Sequence, residues 1–403
     1  MSALLVGIAL LLLGNGLQGT LLGIRASLSG FGTETTGTVM ACYYLGYLLG
    51  SALTPRLIRR VGSIRVFAAL ASLVSFAPLA HALWVNPVAW ALLRALAGAC
   101  MVGIYVVAES WLNGAATREN RGRLLSVYLS VCQMSQAGGQ FLLGLADPRG
   151  FELFVLVSAL FSLAVVPISL TRRAAPRHEH GTTVPFRQLM RRIPLSLLGV
   201  LVVSLSYGAF YAMGAVYALR SGFESASISM FMAATIVGSA VMQWPVGLLT
   251  DRIDRRRVMV WLCIAVSGIG VLLAIAPLGV PAISYALMFL YGGLSFPLYG
   301  VFVALAGDAL EPGELVGASS SILLCNGLGS AMGPIMVAWL MEHTATAAFP
   351  LFIALVHVAV AMLVSDSLRR TASVVVGQPA HYAAISPQAS VVATEMAGRV
   401  AEG

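Results

Sequence analysis

Twelve times along this chain about 20 residues pass with little or no charge, and that recurrence decides its solvent. The windows fall at about 3–24, 35–55, 64–83, 88–112, 122–145 and 151–171. After a polar break they resume at about 194–219, 225–249, 256–277, 280–307, 315–340 and 347–366. Hydrophobic residues make up 59% of the chain and charged ones only 10%, more apolar side chain than a soluble fold buries. The expected fold class is therefore an all-α polytopic membrane protein with twelve transmembrane helices. Short turns join most windows, so neighbouring helices run antiparallel.

The chain is also written twice. An offset of 192 positions brings Gly30-Phe31 onto Gly222-Phe223 and Gly46 onto Gly238. The same offset sets the basic stretch Arg59-Arg60-Val61-Gly62-Ser63-Ile64-Arg65 beside Asp251-Arg252-Ile253-Asp254-Arg255-Arg256-Arg257. Two diverged copies of one membrane unit, each with a charged turn after its second span, point to a secondary transporter. The expected organisation is a six-helix unit over 1–171, a linker over 172–193, a second six-helix unit over 194–366 and a disordered tail over 367–403.

Arginine placement gives the orientation. Every Lys-or-Arg position is Arg, and one side collects most of them: the two basic turns, Arg118, Arg121 and Arg123, the linker arginines, Arg369, Arg370 and Arg399. The other side keeps Arg25, Arg149 and Arg220. By the positive-inside rule the rich side is cytoplasmic, which puts both termini and the linker on the cytoplasmic side of the membrane. A net charge of +8 would suggest nucleic acid in a soluble protein; distributed in this way it reads as topology, and no nucleic-acid partner is expected. Residues Met1 to Ile24 lack a basic leader and contain Asn15-Gly16-Leu17-Gln18, so they read as a retained first span rather than a signal peptide. The five cysteines sit in apolar runs without metal-ligand spacing. His178, Glu179 and His180 in the linker read as a solvated loop.

The turn Gly247-Leu248-Leu249-Thr250-Asp251-Arg252-Ile253-Asp254-Arg255-Arg256 resembles the signature Gly-x-x-x-Asp-Arg-x-Gly-Arg-Arg of the major facilitator superfamily, with Asp254 at the second glycine position. The first-half copy departs further, having Pro55 for the leading glycine and Arg59 for the aspartate. Arg94-Ala95-Leu96-Ala97-Gly98 is similar to the Arg-x-x-x-Gly element of the fourth span. Within the superfamily, Thr54 to Gly62 and Ala108-Glu109-Ser110-Trp111-Leu112-Asn113 resemble a bacterial branch labelled YcaD-like. The resemblance implies two pseudo-symmetric six-helix bundles, a central cavity lined by spans 1, 4, 7 and 10, and rocker-switch alternating access.

A charge clamp is expected at the basic turns. Asp251 at a helix end can accept hydrogen bonds from a neighbouring helix N-terminus while Arg252, Arg255 and Arg256 grip carboxylates, which would hold one face shut. The competing reading makes the arginines a topology signal alone, and for Arg59, Arg60 and Arg65 the two readings stand level. The resemblance pairs Glu109 of span 4 with Arg59, Arg60 or Arg65, and gives Asp308 the equivalent part facing Arg252 or Arg256. Glu109 as a protonation site for cation coupling is the alternative.

Arg94 lies about seven residues into span 4, roughly 10 Å deep at 1.5 Å per residue. A guanidinium there needs water, a partner or an anion. Glu109 is fifteen residues further along and out of reach within the helix. Arg94 therefore reads either as an anion-binding residue or as one held by carbonyls of span 1. Asn15 and Gln18 share a face of span 1, and Tyr207, Tyr211 and Tyr291 are candidate cavity aromatics, with a membrane-interface belt as the plain alternative. Gln133, Gln136 and Gln140 recur at helical spacing in span 5 and read as interhelical glue. His357 in span 12 reads as a buried neutral histidine.

No phosphate loop or nucleophile turn is present, so the chain does not read as an enzyme, and no cofactor or metal is expected. The partners expected are a small-molecule solute (anionic, zwitterionic or amphipathic), the lipid bilayer and, as an option, protons, with the protein a monomer. The reading from another class is a transporter-like receptor that senses a ligand without moving it.

Overall fold

Residues 2–117, 120–169, 185–276, 281–310, 314–370, 382 and 384–401 are described by the computed structural model. Among them every regular element is helical: α1 (Ser2–Leu28), α2 (Thr33–Val61), α3 (Ser63–Leu83), α4 (Pro87–Ala115), α5 (Arg121–Phe141), α6 (Glu152–Leu163), α7 (Val165–Ser169), α8 (Phe186–Arg192), α9 (Pro194–Arg220), α10 (Ser225–Arg252), α11 (Arg255–Ile275), α12 (Pro281–Ser295), α13 (Pro297–Asp308), α14 (Glu314–His343), α15 (Ala348–Arg370) and α16 (Val391–Ala401). Ten helical stretches among the described residues are long and apolar enough to cross a bilayer, with α6 continuing into α7 and α12 into α13. Helices α2 and α5, expected as spans 2 and 5, do not reach that apolarity. The first ends in Arg59 and Arg60, and the second carries Arg121, Arg123 and three glutamines. Their polar positions face other helices in part: Gln133, Gln136 and Gln140 are all buried.

The duplication is visible in backbone geometry. Gly30 ends α1 with φ +80°, and Gly222 ends α9 with φ +85°. In both places the glycine N–H returns to the residue three before it and the following Phe N–H to the residue five before it (Gly30 to Ser27 and Phe31 to Ala26; Gly222 to Leu219 and Phe223 to Ala218). This is a Schellman turn, which needs a residue free to take positive φ, and it explains why the Gly-Phe pair recurs. Gly46 and Gly238 share a second task. A β-carbon on Gly46 of α2 would overlap the Ala95 carbonyl of α4, and one on Gly238 of α10 would overlap the Phe289 carbonyl of α12. Each glycine lets two helix backbones touch. Gly329 and Gly333 do likewise for α14 against Leu201 and Leu205 of α9.

Helices α1 to α6 pack mainly on one another, α9 to α15 likewise, and the two sets meet through α2 with α14, α5 with α10 and α1 with α9. At the Arg-poor end this meeting is tight. Arg220 Nη1 donates to Thr33 Oγ1 at 2.5 Å, and the Thr33 N–H donates to Glu342 Oε2 at 2.9 Å, which joins α9, α2 and α14. At the Arg-rich end α16 lies between α4 and α5 on one side and α13 and α14 on the other.

That last element corrects the expectation of a disordered tail. Ile385, Ala389, Ala393, Met396 and Ala397 follow helical spacing and are all buried, at 0–4% exposure. The stripe is made mostly of alanine, which blends into an Ala/Val/Ser background. The linker also contains structure: Arg192 of α8 pairs with Glu314 of α14 at 2.6 Å. His178, Glu179 and His180 lie outside the described residues.

Candidate functional site

Arg94 is 6% exposed, and its guanidinium carbon stands 4.5 Å from the ring centroid of Tyr43 in α2. Its Nε has no hydrogen-bond partner among the described residues. The helix-face argument that placed Arg94 deep in span 4 thus leads to a tyrosine π-face and a small cavity, rather than to carbonyls of α1. Asn15, Tyr44, Gln136, Gln140 and Tyr211 share that cavity, of about 30 Å³. An adjoining one of about 20 Å³ runs past Tyr43, Tyr47, Tyr207 and Asn326. Each volume holds about one water.

The expected cavity set is therefore split. Asn15, Arg94, Tyr207 and Tyr211 line the two spaces, with the Tyr207 hydroxyl donating to the Ser295 carbonyl at 2.8 Å. Gln18 is buried, lines neither space, and its Nε2 has no hydrogen-bond partner among the described residues. Tyr291 does not line the space either. Its hydroxyl is 2.7 Å from Ser206 Oγ and its ring packs edge-on to Phe210 and Phe296, so it belongs to the α9–α12 core. The tyrosines missed are Tyr43, Tyr44 and Tyr47. Their i, i+1, i+4 spacing in α2 was the available signal, but attention to spans 1, 4, 7 and 10 passed over it. Gln140 does act as glue, accepting from Thr20 Oγ1 at 2.6 Å and donating to the Gly16 carbonyl at 3.0 Å, while it also faces the cavity. Gln133 reaches across from α5 to Ser239 of α10 at 3.2 Å. His357 is buried between the Ile353 carbonyl and Ser295 Oγ.

At the Arg-rich end the charge pairs differ from those expected. Asp308 faces Arg255, at 2.5 Å, and not Arg252 or Arg256. Arg255 also reaches Asp251 at 3.5 Å, one helical turn away. Asp254, which departs from the glycine of the signature, caps α11 by accepting from the Arg256 N–H at 2.9 Å. A short polar side chain at a helix start has that use. Arg256 lies near Asp254 and the Ser367 carbonyl, whereas Arg252 is exposed. Arg59, Arg60 and Arg65 are exposed as well.

Glu109 is the sharpest correction. It is fully buried, and none of its hydrogen-bond partners is an arginine. It accepts from the Tyr128 hydroxyl at 3.1 Å, from the Ser390 hydroxyl and N–H, and from the Ala393 N–H at 3.1 Å. Asp251 also meets the tail, accepting from the Tyr382 N–H at 2.9 Å beside its contact with Arg255. The Tyr382 ring rests against Gly247 and Gly300, and burial raises its phenol above the ordinary value. Among the described residues no cluster of His, Cys, Asp or Glu can hold a metal ion. The arrangement sets a guanidinium, tyrosine rings and amides around spaces of water size.

Comparison with known proteins agrees with this architecture. The family model described as Major Facilitator Superfamily matches residues 4–334 and 196–389. The uncharacterized MFS-type transporter Ent638_1421 of Enterobacter sp. (strain 638) is 31% identical over 345 residues, covering 84% of this chain and 88% of its own. The MFS-type transporter YcaD of Escherichia fergusonii is 30% identical with the same coverage. Among solved structures, the nucleoside transporter NupG superposes with a TM-score of 0.78 at 14% identity, over 92% of this chain and all of the other. A bacterial homologue of the lysosomal transporter Spinster in an inward-facing, unoccupied conformation gives 0.71 at 13% identity, over 98% and 97%. The transporter FucP in the outward conformation gives 0.58 at 13% identity, over 92% and 98%.

Proposed function

Since the chain belongs to the Major Facilitator Superfamily, we propose that it is a secondary transporter that carries a small anionic, zwitterionic or amphipathic solute through the space beside Arg94. In this reading twelve spans form two six-helix repeats, α2 and α5 included, that rock about a central site. The Arg-rich end faces the cytoplasm. The repeat marks at Gly30 and Gly222, and at Gly46 and Gly238, support the two-unit arrangement.

The observation that carries the solute class is the state of Arg94. A buried guanidinium costs several kcal/mol in a membrane unless something compensates its charge. Here it has one aromatic face and an Nε without a partner among the described residues. An anionic group entering the cavity would supply the missing acceptor. A simple cation would be repelled at low local dielectric.

The test has two arms. Solutes that raise the thermal stability of the purified protein are found by screening, since binding to the folded state stabilises it. Flux of those hits into sealed liposomes then separates transport from sensing. For an anionic hit, affinity is expected to fall from wild type to Arg94→Lys to Arg94→Ala, because lysine keeps the charge and loses the planar fork. Equal affinity in all three removes Arg94 from the site.

A further inference from the structure

We propose that the Arg-rich mouth of the cavity is a peptide-binding site whose ligand is the chain's own C-terminal segment, residues 384–397, and that this segment must leave before a solute reaches Arg94 from that side. The proposal rests on the reading of the cavity as the transport site.

The contacts are those of recognition. Four carbonyls of the tail, those of Ile385, Pro387, Gln388 and Ala389, meet side chains of the helices. Gln243 Nε2 donates to the Ile385 carbonyl at 3.0 Å, and Asn326 Nδ2 donates to the Pro387 carbonyl at 2.6 Å. The Tyr47 hydroxyl is within 2.9 Å of the Gln388 carbonyl and 3.1 Å of that of Ala389. These donors come from α10, α14 and α2, so the tail is held by both sets of helices at once. The carbonyls are presented by a turn, closed by the Ala389 N–H on the Ser386 carbonyl at 3.0 Å, and main-chain contacts of this kind give a bound peptide its affinity.

Glu109 then takes the start of α16. Of the four donors it receives, three belong to the tail: the hydroxyl and N–H of Ser390, and the N–H of Ala393. Ser390 Oγ also accepts from the Val392 N–H at 3.1 Å, so the serine caps its own helix while its hydroxyl donates a hydrogen bond to the carboxylate. A carboxylate beside the first turn of a helix meets unsatisfied N–H groups and the positive end of the dipole. Among the described residues Tyr128 supplies the one donor to Glu109 that does not come from the tail, and the tail both covers the carboxylate and supplies the other three.

The position of the segment gives its consequence. Gln388 lines both small spaces beside Arg94, and Pro387 lines one of them. The tail therefore forms the wall that reduces the cavity to water size, and a solute larger than water has no room beside it.

Accessibility tests this on the full chain in detergent, with no solute needed. Asn15→Cys places a reporter on the cavity wall, and its reaction with a bulky hydrophilic maleimide is followed by peptide mass spectrometry. Ala393→Arg sets a long charged side chain at a fully buried tail position, outside the spans. Labelling at position 15 is expected to rise at least ten-fold with Ala393→Arg. A synthetic peptide of residues 384–401, added in excess, is expected to return the rate toward that of the parent, which only an intact binding site allows. An unchanged rate, or a raised rate that the peptide does not lower, overturns the proposal. Because labelling reads no flux, a failure here leaves the transporter reading standing, and a chain without flux can still show protection by its tail.

Discussion

Replacing Asp308 by asparagine is expected to destabilise the protein more than the same change at Asp251, although Asp251 is the position that carries the family signature. The structure sets the ranking. Arg255 lies 2.5 Å from Asp308 with side-chain exposures of 8% and 11%, and 3.5 Å from Asp251, which is 28% exposed. At an effective dielectric of about 20 the direct attractions are about 7 and about 5 kcal/mol. Desolvation and solvent screening remove most of both, and more of the exposed one. Breaking a buried pair costs about 3–5 kcal/mol, and an asparagine oxygen keeps part of the contact, so Asp308→Asn should lose about 2–3 kcal/mol. Asp251→Asn should lose about 1 kcal/mol or less. In a thermal scan of detergent-purified protein these correspond to falls of about 2–4 °C and about 1 °C or less. A cycle combining Asp308→Asn with Arg255→Gln should return a coupling of about 2 kcal/mol. A larger fall for Asp251→Asn, or a coupling below about 0.5 kcal/mol, refutes the assignment of Asp308 as the main partner of Arg255.

Two further outcomes follow from the packing. Gly46→Ala and Gly238→Ala should each cost about 2–3 kcal/mol, because the new methyl meets a backbone carbonyl that cannot turn aside, while Gly19→Ala, with open space around it, should leave the thermal midpoint unchanged. Tyr43→Phe should be nearly neutral in the same scan and Tyr43→Leu should lose about 1–2 kcal/mol, since only leucine removes the π-face over which Arg94 sits; equal losses would mean that the ring is not what holds the guanidinium.

Much of the fold was legible because its causes are local or periodic. Apolar runs gave the helices, and the Gly-Phe recurrence marked two turns that need positive φ. The burial of Arg94 could be read from its place inside an apolar span. Its partner could not, because Tyr43 lies on another helix and nothing in the sequence brings the two together. Tyr291 illustrates the opposite failure. A tyrosine at the right depth was taken for a cavity residue, but which way it faces depends on Ser206 and Phe210, and it turns into the core. The tail was missed through composition. An alanine-rich stripe carries little hydrophobic contrast, so burial at Ala389 and Ala393 leaves almost no mark on the sequence.

The two carboxylates make the limit of motif reasoning concrete. The resemblance paired Glu109 with an arginine-rich turn, but it accepts N–H groups from the tail, while Asp251 takes one from Tyr382 beside its contact with Arg255. The physical requirement is the same in either case. A carboxylate at the edge of a low-dielectric bundle needs donors, and guanidinium groups, helix N-termini and loop amides all provide them. A motif records that such a carboxylate stands at a given position. It does not record which donor is nearest, because that depends on what else the chain can bring there. In this protein the nearest donors are supplied by a segment more than 280 residues downstream of Glu109, and Arg59, Arg60 and Arg65 stay exposed. The same acid that would clamp two halves together therefore holds a peptide between them.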